Sequence, residues 1–216
     1  VSLVAVLAGL FVAALIYLLA RDRHGYSGGR MILIGIGMQA MLNALISWML
    51  LKGSEYDVAT ALRWLRGSLN GVQMSDVPVL SITVLVGGFI LIVLNRSLQV
   101  MQLGEEYPIT LGAPVQRVRL GSILCALLLT AVATSITGPI ASVAFLSGPI
   151  ASRIVGKGRS NLLASALVGV VLILASELVG QNLFAVRYPV GVITGILGAP
   201  YLLLLLLQIN KKGERV

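Results

Sequence analysis

Residues 77–95 read VPVLSITVLVGGFILIVLN, nineteen consecutive positions without a charged side chain. As a helix rising about 1.5 Å per residue the stretch reaches roughly 28 Å, close to the roughly 30 Å hydrocarbon thickness of a bilayer. Hydrocarbon offers no hydrogen-bond partners, so a segment crossing it satisfies its backbone internally, as a helix. The same reading extends outward to Val1–Ala20, Met31–Leu51, Leu120–Thr137, Leu162–Val179 and Val190–Leu207. Charged residues make up 11% of the 216-residue chain, against roughly a quarter in soluble domains, and mean hydropathy is +0.97. A water-facing surface cannot be built from that composition. The expected fold is all-α, a polytopic transmembrane helical bundle forming one domain over residues 1–216.

A seventh segment, Ile140–Val155, has sixteen residues and contains Gly148-Pro149 and Arg153. Sixteen residues of helix reach only about 24 Å, so this span is expected to be thinned, tilted or broken. A break at Gly148-Pro149 would have to lie inside the bundle, where protein covers the freed backbone groups. The basic residues test whether the segment crosses, because Lys and Arg are enriched in short cytoplasmic loops. If it crosses, Arg21, Arg23, Arg30, Arg96, Arg117, Arg119, Arg153, Lys157, Arg159, Lys211, Lys212 and Arg215 share one side, and Lys52, Arg63, Arg66 and Arg187 the other. If it does not, the division is seven to nine. The twelve-to-four division selects seven spans with the C-terminus in the cytoplasm. The same dispersal explains a net charge of +8 without a nucleic-acid-binding face.

The chain opens at Val1 inside an apolar run, without the basic start and cleavage site of a signal peptide. It reads as trimmed, with further membrane helices expected upstream. In the loop Lys52–Asp76, apolar Val58, Ala61, Leu62 and Leu65 recur at helical spacing. They predict a short amphipathic helix at the outer interface, with Tyr56 and Trp64 at headgroup depth and Arg63 and Arg66 facing water. In the loop Arg96–Arg119, Gly104, Gly112 and Pro114 punctuate two short helical pieces.

The catalytic inventory is small. The single histidine, His24, lies in a basic loop, so no Ser-His or Cys-His pair can form within the membrane. One cysteine, Cys125, allows no intrachain disulfide and, with one distant histidine, makes no metal cluster. No phosphate-cradling G-x-x-x-x-G-K-[ST] motif is present, so ATP chemistry would belong to another chain. Three features remain. Glu177 is an acid well within a span, readable as a proton relay or substrate contact, or as a structural hydrogen-bond partner near the outer surface. Gln39, Asn43 and Ser47 recur every four residues along one helix face, which either meets an aqueous pathway or bonds a neighbouring helix. Gly191, Gly195 and Gly198 with Thr194 form a small-residue face on the last span, a pattern associated with close helix packing.

Five stretches in order resemble one family. They are Arg63-Trp64-Leu65-Arg66-Gly67-Ser68-Leu69-Asn70-Gly71; Leu103-Gly104-Glu105 through Leu111-Gly112; Val115-Gln116-Arg117-Val118-Arg119-Leu120; Gly138-Pro139-Ile140-Ala141; and Tyr188-Pro189-Val190-Gly191-Val192-Ile193-Thr194-Gly195 with Leu197-Gly198-Ala199-Pro200-Tyr201. The chain is similar along its length to the FecCD-type permeases of iron-siderophore and vitamin B12 ABC importers. It corresponds to their helices from the fourth onward, and at Gly148–Arg153 it departs from the commoner family pattern. Ser176–Gln181 and Val186–Gly191 look more like ferric-siderophore members than cobalamin ones.

The resemblance implies a type II ABC importer permease fold and transport by alternating access, with no catalytic residue and no cofactor of the chain's own. It implies a bacterial inner-membrane complex: a second permease subunit, identical or not, two cytoplasmic ATPase subunits that bind ATP, and an extracytoplasmic substrate-binding protein. Residues 97–119 become the coupling loop to the ATPase, with Leu103, Gly104, Glu105, Glu106, Leu111, Gly112 and Pro114 at the contact. Met31–Leu51 and Val190–Leu207 become pathway helices, with Gln39, Asn43, Ser47, Thr194 and Gly198 along it, while Arg63, Arg66 and Arg187 dock the binding protein. The rival expectation is a proton-coupled secondary transporter built on Glu177.

Overall fold

The computed structural model describes residues 2–22, 25–26, 28–101, 115–140, 142–156, 161–183 and 187–213. Eight helices occur among them: α1 Ser2–Ala20, α2 Gly28–Lys52, α3 Glu55–Leu65, α4 Val77–Met101, α5 Val115–Thr137, α6 Val143–Val155, α7 Leu162–Asn182 and α8 Val190–Gly213. Between α1 and α2 the backbone pairs antiparallel over two residues a side, Arg21 with Tyr26 and Asp22 with Gly25. Four of the helices are long and apolar enough to cross a membrane, over Gly29–Lys52, Val77–Gln99, Arg117–Thr137 and Leu162–Asn182. The apolar runs Val4–Ala20, Val143–Val155 and Val190–Tyr201 are shorter. The chain is a multi-pass, α-helical membrane protein.

Its large apolar side chains face outward, among them Leu85, Phe89, Leu167 and Leu178. What lies between the helices is small: Gly169, Ser176 and Gly180 are the buried residues of α7. This follows from the solvent, since lipid tails attract leucine as well as a protein core does and helices gain mainly by close backbone approach. A Cβ on Gly169 would stand 3.8 Å from both Ser147 Cβ and Val143 Cγ1 of α6. Through such contacts α6 packs on α7 and α7 on α8, while α5 packs on both α1 and α4.

The short seventh segment is interrupted elsewhere than at Gly148-Pro149. Helix α6 runs unbroken through Pro149, and the non-helical backbone precedes it, at residues 138–140. Gly138 at φ +73° and Ser142 at φ +70° lie outside the right-handed helical basin, which is why α5 stops and α6 starts late. Ser142 Cβ lies 2.5 Å from where a Cβ on Gly198 would stand, roughly 12 Å along α8 from its first residue. The chain therefore lies against α8 at Ser142 before α6 begins, and the thirteen helical residues left span about 20 Å. At the opposite end, α4 continues through Met101 and α5 starts at Val115, so the flanks of the predicted loop 97–119 are helical.

Helix α3 forms where the amphipathic pattern predicts. Ser54 caps it, its Oγ accepting from the Asp57 amide at 3.3 Å and donating to Asp57 Oδ2 at 2.6 Å. Val58, Ala61 and Leu65 face Ile46, Met49 and Leu50 of α2 across a groove of about 620 Å³. Leu62, expected on that face, is exposed, as are Tyr56 and Trp64.

Candidate functional site

Three of the five family-like stretches meet at one end of the bundle. The Ser68 amide donates to the Thr137 carbonyl at 2.8 Å, and the Gly191 amide to the Gly67 carbonyl at 3.3 Å. The Gly67 amide donates back to Trp64 O at 3.1 Å, and Tyr188 N to Gly180 O at 3.2 Å. The ends of α3, α5 and α7 and the start of α8 are thereby tied backbone to backbone. Glycine is required for this approach. A Cβ on Gly67 would sit 2.5 Å from Pro139 O, and one on Gly180 2.8 Å from Tyr188 O. A Cβ on Gly138 would run into the Trp64 carbonyl, and one on Gly191 into the Arg66 carbonyl. Gly67 and Gly138 also hold φ of +66° and +73°, where side chains are strained. The knot is dry: Gly67, Gly138, Gly180 and Gly191 are buried, Val190 is 0% exposed and Thr194 1%.

Arg66 immediately precedes Gly67 and Arg187 immediately precedes Tyr188, so two of the three predicted docking arginines are carried on the knot. Arg63, one turn back on α3, stands close in sequence to it, and all three residues are exposed.

Gln39, Asn43 and Ser47 are exposed along α2, with Ser47 Oγ bonded to the Asn43 carbonyl at 2.9 Å. Thr194 and Gly198 do not share that exposure. Thr194 donates to Gly191 O at 3.2 Å, and Gly198 is covered by Ser142 and Leu146. Both are packed against neighbouring groups of this chain, whereas Gly195 has nothing within 4 Å of a Cβ.

Glu177 sits one turn before Gly180, half-buried, and its Oε1 accepts from Gln181 Nε2 at 2.6 Å. The same nitrogen lies 3.5 Å from Asn70 Oδ1 in the loop after the knot. The acid thereby belongs to a side-chain contact between α7 and that loop. Leu103, Gly104, Glu105, Glu106, Leu111, Gly112 and Pro114, and likewise His24, lie outside the described residues. Residue-by-residue reading missed the joint role of Gly67, Gly138, Gly180 and Gly191. The signals were local, Gly-Ser, Gly-Pro and Pro-Val-Gly, and none says that distant turns touch. It also missed the Arg153 guanidinium 5.8 Å from the Tyr201 ring.

Residues 1–208 match the FecCD transport family. The ferric enterobactin transport system permease protein FepG of Escherichia coli K12 is 39% identical over 217 residues, which is 98% of this chain and 64% of FepG. The iron(3+)-hydroxamate import system permease protein FhuG of Bacillus subtilis 168 is 33% identical over 207 residues, 94% of this chain and 61% of FhuG. The chain spans somewhat less than two thirds of the length of these relatives. A solved structure assigned to the metal-chelate type of ABC transporter, in an inward-facing conformation, superposes with a TM-score of 0.82 at 25% identity, covering 93% of this chain and 65% of that one. The knotted Arg-Gly-Ser, Gly-Pro and Pro-Val-Gly turns lie within the matched span, and the chain belongs to the FecCD transport family.

Proposed function

We propose that this chain is part of the membrane permease of an ABC importer that moves a ferric siderophore across the bacterial cytoplasmic membrane. The observation that carries the reading is similarity over 98% of the chain to a ferric enterobactin permease. The chain crosses seven times, with the knot on the outer side and the C-terminus in the cytoplasm. Two features support this topology. The knot joins the ends of α5 and α7, so α6 and α7 between them return the chain to the side it left. The charge division of twelve to four places the knot opposite the basic side.

The polar stripe of α2 lines the pathway, shared with a second permease subunit. Arg63, Arg66 and Arg187 receive carboxylates of an extracytoplasmic binding protein, the geometry in which guanidinium forks orient a partner. Residues Leu103–Pro114 seat in one of two ATPase subunits, which bind and hydrolyse ATP. No covalent step occurs in the chain itself; the pathway opens to one side and then the other.

Affinity purification of the full-length tagged protein from its own membranes tests the reading. An ATPase subunit with Walker motifs should co-purify in stoichiometric amount. Recovery of the protein free of any ATPase, under conditions that keep a known importer complex intact, would refute it.

A further inference from the structure

The knot does more than hold the fold. Resting on the importer reading, we infer that Gly67 and Gly191 form the mechanical link by which docking of the binding protein at Arg66 and Arg187 is passed to the pathway end of α8.

The argument starts from one peptide. The Arg66 side chain is exposed to the outer compartment, yet its own carbonyl abuts Gly191 so closely that no Cβ fits between them. The next carbonyl, Gly67 O, accepts the Gly191 amide at 3.3 Å. A displacement of the Arg66 backbone therefore reaches the first turn of α8 through two successive peptide groups. Arg187 enters from the other side. Tyr188 is held to Gly180 O at 3.2 Å, and only Pro189 and Val190 separate it from Gly191. The first turn of α8 thus lies between the two arginine-bearing segments.

Below that turn α8 is firmly seated for one more turn, Ile193 and Thr194 being 6% and 1% exposed. It then reaches Pro200, which lacks the N–H that would bond the turn above. Beyond it Leu203, Leu204 and Leu207 are exposed. The helix is clamped at its first turns, Val190, Gly191, Ile193 and Thr194 being buried, the shape of a lever whose short arm is in the knot. Packing this close is bistable, not continuously compressible, so a small displacement at the docking face is carried as a unit.

The test uses the full-length transporter with its ATPase and binding protein in lipid nanodiscs. Gly191→Ala should still bind the binding protein through its arginines, but the ratio of stimulated to unstimulated ATP hydrolysis should fall by on the order of tenfold, the scale of a typical coupling energy. Gly195→Ala, one turn further along α8 where a Cβ meets nothing within 4 Å, should keep the wild-type ratio. In a Cys125→Ala background, a disulfide between cysteines placed at Ser68 and Thr137, whose backbones already bond at 2.8 Å, should leave stimulation and transport intact, because the knot moves as one body. The crosslink decides the matter should Gly191→Ala fail to insert. Wild-type stimulation in Gly191→Ala, or arrest by the crosslink, overturns the inference. Absence of any stimulation in the unmodified complex would instead count against the importer reading.

Discussion

At the residue scale the consequential positions are those where a hydrogen cannot be exchanged for a methyl. Gly138, at φ +73° with the Trp64 carbonyl where a Cβ would stand, carries both a left-handed backbone and a collision. The first costs about 1–2 kcal/mol and the second about 1–3 kcal/mol, so Gly138→Ala should lower stability by about 3 kcal/mol. Gly148 is the contrasting case, a glycine inside helix α6 with nothing within 4 Å of its Cβ position. There alanine should stabilise by about 0.5–1 kcal/mol. Thermal unfolding midpoints of the two full-length variants in one detergent check the pair. A loss at Gly148 larger than at Gly138 would show the break to be misplaced. Glu177 makes a second residue-scale prediction. Its Oε1 accepts from Gln181, a bond that a glutamine at 177 can also accept, so Glu177→Gln should keep uptake within about twofold of wild type, the range of non-critical substitutions. An obligatory proton carrier would lose uptake altogether. The residue types at the knot were legible in the sequence as turn signals. Their convergence was not, because turns that touch from far apart in the chain leave no periodicity to read.

At the scale of elements, hydrophobic blocks located every long helix to within several residues, since lipid demands uninterrupted apolar runs and little else competes with that signal. Helix α3 was equally legible, because Val58, Ala61, Leu62 and Leu65 repeat at helical spacing. The interruption near α6 was misplaced for a physical reason. Gly148-Pro149 is a strong breaker in water, whereas within a membrane bundle neighbouring groups re-satisfy the backbone that proline frees. On the small-residue face of α8, Thr194 and Gly198 are buried within the chain. For α2 the exposed stripe leads to a prediction. Cysteines at Asn43 and Ser47 in the assembled full-length transporter should react with a water-soluble thiol reagent in at least one nucleotide state. Protection of both in every state would make the stripe a packing seam between subunits.

At the scale of the whole molecule, the knot ties one end of the bundle, and on the proposed seven-span topology most of the cations lie at the other. The importer proposed for this chain would need a receiving face outside and a drive contact inside. Within the proposed drive contact Gly112 is the residue type that tolerates a tight turn most readily. Gly112→Trp should leave insertion and binding-protein docking intact while lowering transport and substrate-stimulated ATP hydrolysis together. Transport at the wild-type rate would remove the contact from residues 103–114. The central claim, that transport is driven by ATP on partner subunits, is tested most directly by uptake into proteoliposomes holding the full-length permease and its ATPase. Labelled ferric siderophore, presented on its binding protein, should enter only when ATP is supplied on the ATPase side, and should be indifferent to an imposed pH gradient. Uptake that needs no ATPase and follows the pH gradient would contradict the account.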